Sequence, residues 1–385
     1  MFSKVALFAQ AVSTVNGVRT VTYKPGATPA GQWSLTPKPL QRIASDNGVE
    51  IVSVNGVARQ SDGTLVILSR ESSDLRFFDA NGKHLRNVGR KGQGPGEFEA
   101  KYGLTLFRLR DSIVVSDGNG IAQVFAPDGK YVRTESRPAG GPQGQQISRG
   151  GFFADGRAVL QMYPTRRDTT APARKMMFYT MFAQAGATRT ELARFPAYER
   201  LNVEGGSAVR TVFGAMGDFA VLPNGFCVGF SNVMALSCFA PDGKQVSRVE
   251  RQGVLGAVVT AADKEAHLAE IARLNPDHNG AAFVARMRET STYAKRMPAF
   301  GQLVASQTNE VWIGPALPPV AEAIVSQVSD HATVWSVFSF NGDWLSDITL
   351  PKRFRLMEVG ANYVAGILRD EDDVEDVVVY SIVKR

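Results

Sequence analysis

The chain carries four histidines: His84, His267, His278 and His331. No two stand in a His-x-x-x-His pair, the spacing that would put both imidazoles on one helix face as metal ligands. His267 and His278 have Asp263, Glu265 and Asp277 nearby, and such a group could hold a metal ion. A solvated helical hairpin explains it more simply. No Gly-x-Ser-x-Gly occurs, and the serines, aspartates and arginines show no triad spacing. No catalytic residue, metal ligand or cofactor is therefore assigned.

Three charged or Gly-rich stretches could bind rather than react. Asp370-Glu371-Asp372-Asp373, followed by Glu375 and Asp376, offers the carboxylate oxygens that Ca²⁺ takes, without the EF-hand spacing. A solvated loop between two strands accounts for it as well. Arg166, Arg167, Arg174 and Lys175 lie in a Pro- and Thr-containing loop and could grip phosphate or a carboxylate polymer. Gly89-Arg-Lys-Gly-Gln-Gly-Pro-Gly-Glu-Phe98 sets glycines beside Arg90 and Lys91, as a phosphate loop would. Such a loop needs a helix N-terminus and a Lys-Ser/Thr pair after it, and here a strand follows. Gly92, Gly94 and Gly96 are expected instead to permit positive φ at a sharp crossing, with Phe98 anchoring the next strand.

Composition narrows the field. The chain has 385 residues and a net charge of +6. A basic balance favours anionic partners, but Lys and Arg are dispersed rather than gathered in one run. Cys227 and Cys238 are too few for a disulfide scaffold or a Cys-built zinc site. No apolar run is long enough to span a bilayer as a helix. Lys4, the short apolar stretch 5–8 and Ala9-Gln10-Ala11 resemble a clipped or wrongly started leader. Residues 1–31 are expected to be leader and linker, and the protein to be exported, periplasmic or extracellular.

The elements that must position these groups repeat. Asp79-Ala-Asn-Gly82, Asp128-Gly129, Asp242-Gly243 and Asn341-Gly342 each follow an apolar strand and precede another. A second turn recurs upstream of each, at Asp62-Gly63, Asp111-Ser112, Asn224-Gly225 and Thr308-Asn309, and Asp155-Gly156 is a fifth of the same kind. In three units the two turns lie about 18 or 19 residues apart. Strand, turn, strand, loop, strand, turn, strand is a four-stranded meander, the unit of a propeller blade. Units fall near 50–90, 99–136, 147–196, 207–250 and 298–350. A sixth, 354–383, has three strands, and 33–44 can supply the missing one and close the ring. The fold class is thus all-β: a six-bladed propeller over 32–385, closed by an N-terminal strand in the last blade. Thr260-x-x-Asp263 reads as a helix start, and Leu268, Ile271 and Leu274 keep helical spacing. Phe283, Met287, Thr290, Ala294 and Met297 share a second helical face, so 258–298 is expected to be a helical hairpin inserted between blades four and five.

With the repeats laid out, a resemblance shows. The Gly89–Phe98 segment, flanked by Leu75-Arg-Phe-Phe-Asp79 and Gln123-Val-Phe-Ala-Pro-Asp-Gly-Lys130, resembles the inter-blade segment of NHL-type propellers. It is closest to the bacterial six-bladed β-propeller proteins of unknown function. Pro298-Ala-Phe-Gly-Gln302 and Gly366–Glu375 are similar to the same group. The resemblance implies a fold and little about activity, since NHL-type propellers include lyases, RNA binders and scaffolds. The histidine ligands of the lyases have no match here. Gluconolactonase-type propellers hold a divalent cation with Glu, Asn and Asp from several blades, and Asp117, Asn119 and Asn232 offer such ligands. They serve equally as turn formers.

The chain therefore reads first as a non-catalytic binding or interaction scaffold. A divalent-cation-dependent hydrolase or lyase at the channel mouth, or an RNA or polyanion binder on a basic face, are the alternatives. In a meander blade the first and third turns lie on one face of the ring, and the long second loops and inter-blade links on the other. A protein partner or small anionic ligand is expected on the long-loop face, with the helical insert as partial cover. Candidate contacts are Arg70, Asp117, Asn119, Arg166, Arg167, Asn232, Arg369 and Asp370. Cys227 and Cys238 are expected directly opposite one another around a turn at Asn232-Val233. Whether they bridge or are two small buried core residues is left open.

Overall fold

The computed structural model describes residues 10–44, 49–99, 103–117, 120–136, 138–142, 144–164, 174–202, 208–274, 276, 280–316 and 329–385. Strands within 54–88, 104–135, 147–210, 217–251, 303–350 and 354–384 form successive sheets, each built outward in sequence order. The first strand of each sheet touches the first strands of its two neighbours. This series returns from 354–359 to 54–59. The sheets therefore close into a ring, a six-bladed β-propeller. Inner strands such as Leu65–Ser69 are buried on both faces, which explains their unbroken apolar runs. The outer strand His84–Val88 alternates between exposed and half-buried residues instead. Apolar clusters fill the wedges between blades, for example Phe77, Phe98, Leu104 and Phe125 between the first and second.

The turns explain the repeat chemically. In Asp62-Gly63, Asp128-Gly129, Asp155-Gly156 and Asp242-Gly243 the aspartate Oδ1 accepts the backbone N–H two residues on, at 2.8 to 3.0 Å. The following glycine takes a φ between 85° and 94°, where a side chain would be strained.

Ring closure is as expected. Trp33–Leu35 and Gln41–Ile43 both pair antiparallel with the C-terminal strand Glu375–Lys384. The stretch expected as a linker behaves otherwise. Gln10–Val15 and Val18–Tyr23 form a hairpin around Asn16-Gly17, and its second strand lies parallel to Gln245–Arg251 at the rim of blade four. Asn16 and Gly17 both adopt positive φ, as a two-residue hairpin turn requires. Tyr23 is buried between blades four and five, where its hydroxyl accepts the Trp344 N–H at 2.7 Å. Arg19 pairs with Asp343 at 2.7 Å on the same line.

Blade three is longer than expected. Its hairpin Arg174–Ala185 and Thr188–Asn202 runs past residue 196 and is joined by a fifth strand, Ala208–Arg210. Cys227 and Cys238 are cross-strand partners in blade four and form a disulfide, with Cα atoms 4.0 Å apart. The bridge, not a pair of free core thiols, is what the turn builds.

The insert is a helical hairpin of α1, Ala261–Leu274, and α2, Gly280–Thr290. Thr260 and Asp263 cap α1 reciprocally: the Thr260 N–H reaches Asp263 Oδ2 at 2.7 Å and the Asp263 N–H reaches Thr260 Oγ1 at 3.2 Å. The second helix ends at Thr290, so Ala294 and Met297 do not share its face. Their N–H groups go instead to Val212 and Ala257 carbonyls, which pulls 291–298 into extended backbone. Phe283 is 45 % exposed, so the expected apolar face is not buried.

The Gly-rich link also differs in detail. Phe98 anchors blade two as expected. Positive φ occurs at Gly89 and Gly96, not at Gly92 or Gly94. A side chain at Gly92 would collide with the Glu97 carboxylate. That carboxylate accepts the Gly94 N–H at 2.9 Å and pairs with Arg90 at 2.7 Å. An internal carboxylate thus fills the place a phosphate would take.

Candidate functional site

A cavity of about 1220 Å³ opens on the long-loop face. Its wall comes from four blades and the insert. Blade three contributes Tyr163, Arg174, Tyr179, Tyr198 and Arg210; the link to blade four supplies Phe213 and blade four itself Asp218; Trp335 and Phe354 close the side of blades five and six. His267 and Tyr293 belong to the insert and also line it, so the insert borders the cavity on the face where the loops are long. The insert is fixed there by backbone bonds from Val212 N–H to the Thr292 carbonyl at 2.8 Å and from Ala299 N–H to the Ser231 carbonyl at 2.6 Å.

The aromatic groups are ordered by their neighbours. Tyr163 meets Tyr179 edge-on with centroids 5.6 Å apart, and Phe195 lies 5.5 Å beyond. Burial, with the nearby Tyr163 and Tyr198 phenols, pushes the Tyr179 hydroxyl up to about 12, so it stays a neutral donor. On the insert side Phe213, His267 and Tyr293 form a triangle of rings 5.4 to 5.7 Å apart. His267 Nδ1 and the Tyr293 hydroxyl are hydrogen-bonded at 3.0 Å. Burial lowers the His267 pKa, which keeps the imidazole neutral in this contact.

Charge enters sparingly. Arg174 pairs with Glu199 at 3.5 Å. Arg210 lies over the Tyr198 ring at 5.5 Å, and its Nη1 donates to the Met216 sulfur at 3.5 Å. Asp218 stands at the start of blade four's inner strand. Its Oδ2 accepts the Leu303 N–H of blade five at 2.7 Å and its Oδ1 accepts the Phe219 N–H at 2.9 Å. Burial outweighs these two bonds and pushes its carboxyl up to about 6.

A pH dependence follows. The native state holds the Asp218 proton more tightly than the unfolded chain, so the contribution to stability is full at low pH. It is lost as pH rises from the ordinary carboxylate range through about 6. Asp218→Asn cannot titrate. The stability difference between wild type and D218N is expected to shift towards wild type by at most about 3 kcal/mol between pH 7 and pH 4. Chemical denaturation at several pH values measures it, and parallel pH profiles for the two proteins would refute the assignment.

The residues singled out from sequence divide four ways. Arg70 and Arg369 come together in a second, smaller cavity between blades six and one. Asp117 and Asp370 act as turn formers: Asp117 Oδ1 accepts the Ile121 N–H, and Asp370 Oδ1 accepts those of Asp372 and Val374, all at 2.9 Å. Asn232 is exposed in its tight turn, beside Ser231 of the large cavity. Asn119, Arg166, Arg167 and His278 lie outside the described residues. Among the described residues no three His, Cys, Asp or Glu side chains converge as a metal site would need. Sequence reading missed Tyr179, Asp218, Trp335 and Phe354. Each is an ordinary strand residue, and only its position near the long-loop end of a blade marks it.

No protein-family model matches the chain, and no curated protein sequence is similar to it. Solved structures are similar in fold. The similarity decides at the level of architecture only. A member of the DUF4221 family from Bacteroides vulgatus aligns at a TM-score of 0.55 and 13 % identity, covering 92 % of this chain and 99 % of that one. An exported-protein candidate from Bacteroides fragilis gives 0.49 and 11 %, covering 95 % and 99 %. The PQQ-bound aldose sugar dehydrogenase from Streptomyces coelicolor gives 0.44 and 10 %, covering 93 % and 100 %. Among the described residues no helix is long and apolar enough to cross a membrane.

Proposed function

We propose that this protein is an exported binding protein that takes a small organic ligand at the long-loop mouth of its channel, beneath the helical insert. One observation carries the reading: the insert borders a cavity of about 1220 Å³ whose wall includes ten Phe, Tyr and Trp residues. Ligand pockets are concave, largely apolar and furnished with a few polar groups, and typically hold roughly 300–1,000 Å³. This one has that character and is large enough for its cover to reach inward over a ligand. Tyr179, Trp335 and Phe354, each largely buried, give that wall apolar ring surface for a ring or an apolar body. Arg210, which ends on a sulfur acceptor, offers a guanidinium to an anionic end. Export is supported by the Cys227–Cys238 bridge, since disulfides persist in oxidising compartments.

Anilinonaphthalene sulfonate, an aromatic anion, is a direct probe. Its fluorescence is expected to saturate at one site on the native protein. Ala215→Trp places a large side chain in the cavity wall and is expected to weaken binding at least about tenfold. Arg157→Gln, in a turn on the opposite face, is expected to leave it unchanged. Equal binding to A215W and wild type, or none to either, would sink the proposal.

A further inference from the structure

The smaller cavity, about 510 Å³, lies between the last blade and the first. Three arginines reach it from separate elements: Arg70 from the second loop of blade one, Arg355 from the inner strand of blade six, and Arg369 from that blade's second strand. Like charges gather in a partly enclosed space only where counter-charge meets them. Apart from the exposed Glu50 carboxylate, the counter-charge at hand is already committed. Glu375 Oε1 accepts from Arg369 Nη2 at 2.7 Å, and Glu375 Oε2 accepts the Val54 N–H at 2.8 Å. Asp373 is held by Arg353, which also pairs with Asp330 at 2.8 Å. Glu50 is exposed, and its carbonyl accepts from Arg76.

Donors are left over. Arg369 Nε is buried and has no acceptor among the described residues. Arg355 is half-buried, and its guanidinium makes no hydrogen bond among them. Burial and the neighbouring Arg369 both lower its pKa, while Glu375 opposes them without bonding to it. An arginine does not escape such a place by losing its proton, because guanidinium is not deprotonated in proteins. Arg70, exposed at the entrance, has no side-chain partner among the described residues either.

We propose that this cleft is an anion site, separate from the aromatic cavity, in which Arg70, Arg355 and Arg369 receive a carboxylate or phosphate group. Planar guanidiniums from three directions match such an oxyanion with paired N–H···O bonds, and the cleft is too highly charged for an apolar ligand. The site sits on the same face as the large cavity. It uses none of that cavity's residues, so the two readings stand or fall separately.

Calorimetric titration of the full chain at low ionic strength tests it, with inorganic phosphate and succinate as probes and sodium chloride as the salt control. At least one probe is expected to saturate at a single site, while chloride does not. Phosphate alone binding points to a phosphate-bearing ligand; succinate alone points to a carboxylate; both point to a general oxyanion site. Arg355→Gln and Arg70→Gln are each expected to weaken binding at least about tenfold. Arg70 is exposed, so R70Q keeps the test valid if R355Q folds poorly. A215W and R157Q are expected to bind the anion as wild type does. Absence of saturation by both probes up to about 10 mM, an affinity weaker than any specific site here should show, overturns the proposal. So does wild-type affinity in R70Q.

Discussion

A chain beginning at residue 49 is expected to lose cooperative folding altogether, while one beginning at residue 32 folds with reduced stability. The reason is the path of the N-terminal segment. Residues 10–23 lie along the rim of blade four and anchor to blade five through Tyr23 and Arg19. Residues 30 and 31 donate to the Trp344 and Leu345 carbonyls of blade five, and 33–43 then complete blade six. One segment therefore crosses three blades and ends as the clasp of the ring. Val21, Tyr23 and Ile43 are all fully or nearly buried. Each such side chain contributes roughly 1.5–3 kcal/mol. Three together approach the whole stability of a typical domain, about 5–15 kcal/mol. Losing 33–43 also strips the C-terminal strand of its partner and opens a sheet edge. Thermal melts should show a lower midpoint for the chain from 32 than for full length, and no cooperative transition for the chain from 49. A chain from 49 that melts within a degree or two of full length would show that the clasp is dispensable.

Replacing both cysteines by alanine is expected to lower stability by about 3 kcal/mol. Cys227 and Cys238 close a short loop, with a sequence separation of 11, and both are almost wholly buried. A loop of that length removes roughly 3 kcal/mol of unfolded-state entropy when cross-linked. The bridge joins the second and third strands of blade four, beside Leu236, Val249 and Phe338 of the core between blades four and five. Denaturant midpoints of wild type with and without dithiothreitol, and of the C227A/C238A variant, give the cost. Thiol titration of unfolded, unreduced protein should find no free thiol. One that finds two removes both the bridge and the support it lends to export.

How much was legible in the sequence depends on how local the physics is. The Asp-Gly turns report themselves, because aspartate Oδ1 bonds within the turn and glycine takes a backbone angle that few other residues tolerate. They set the blade count, and the strand missing from the sixth unit foretold closure by 33–44. The Thr260–Asp263 cap is equally local and marked the start of α1. The Asn16-Gly17 turn was just as local a signal, but a strand in parallel contact with the rim of blade four has no partner nearby in sequence, so the segment looked like a linker. Ala294 and Met297 kept helical spacing, yet Val212 and Ala257 supplied carbonyls that extended that backbone instead.

Which face carries the long loops also follows from strand order, and the expectation of a site there rested on that alone. The lining of the two cavities does not. Tyr179, Asp218, Trp335 and Phe354 come from four blades, and Arg70, Arg355 and Arg369 from both sides of the ring's seam. Nothing in their spacing relates them, because ring closure brings them together and closure is a property of the whole chain. Aspartates such as Asp117 and Asp370, conspicuous in the sequence as possible ligands, are occupied by their own turns. The sequence by itself determined the blades, their turns and the seam. Only the tertiary structure decided which buried charges would be left with donors to spare, since that depends on which carboxylates the neighbouring blades had already claimed.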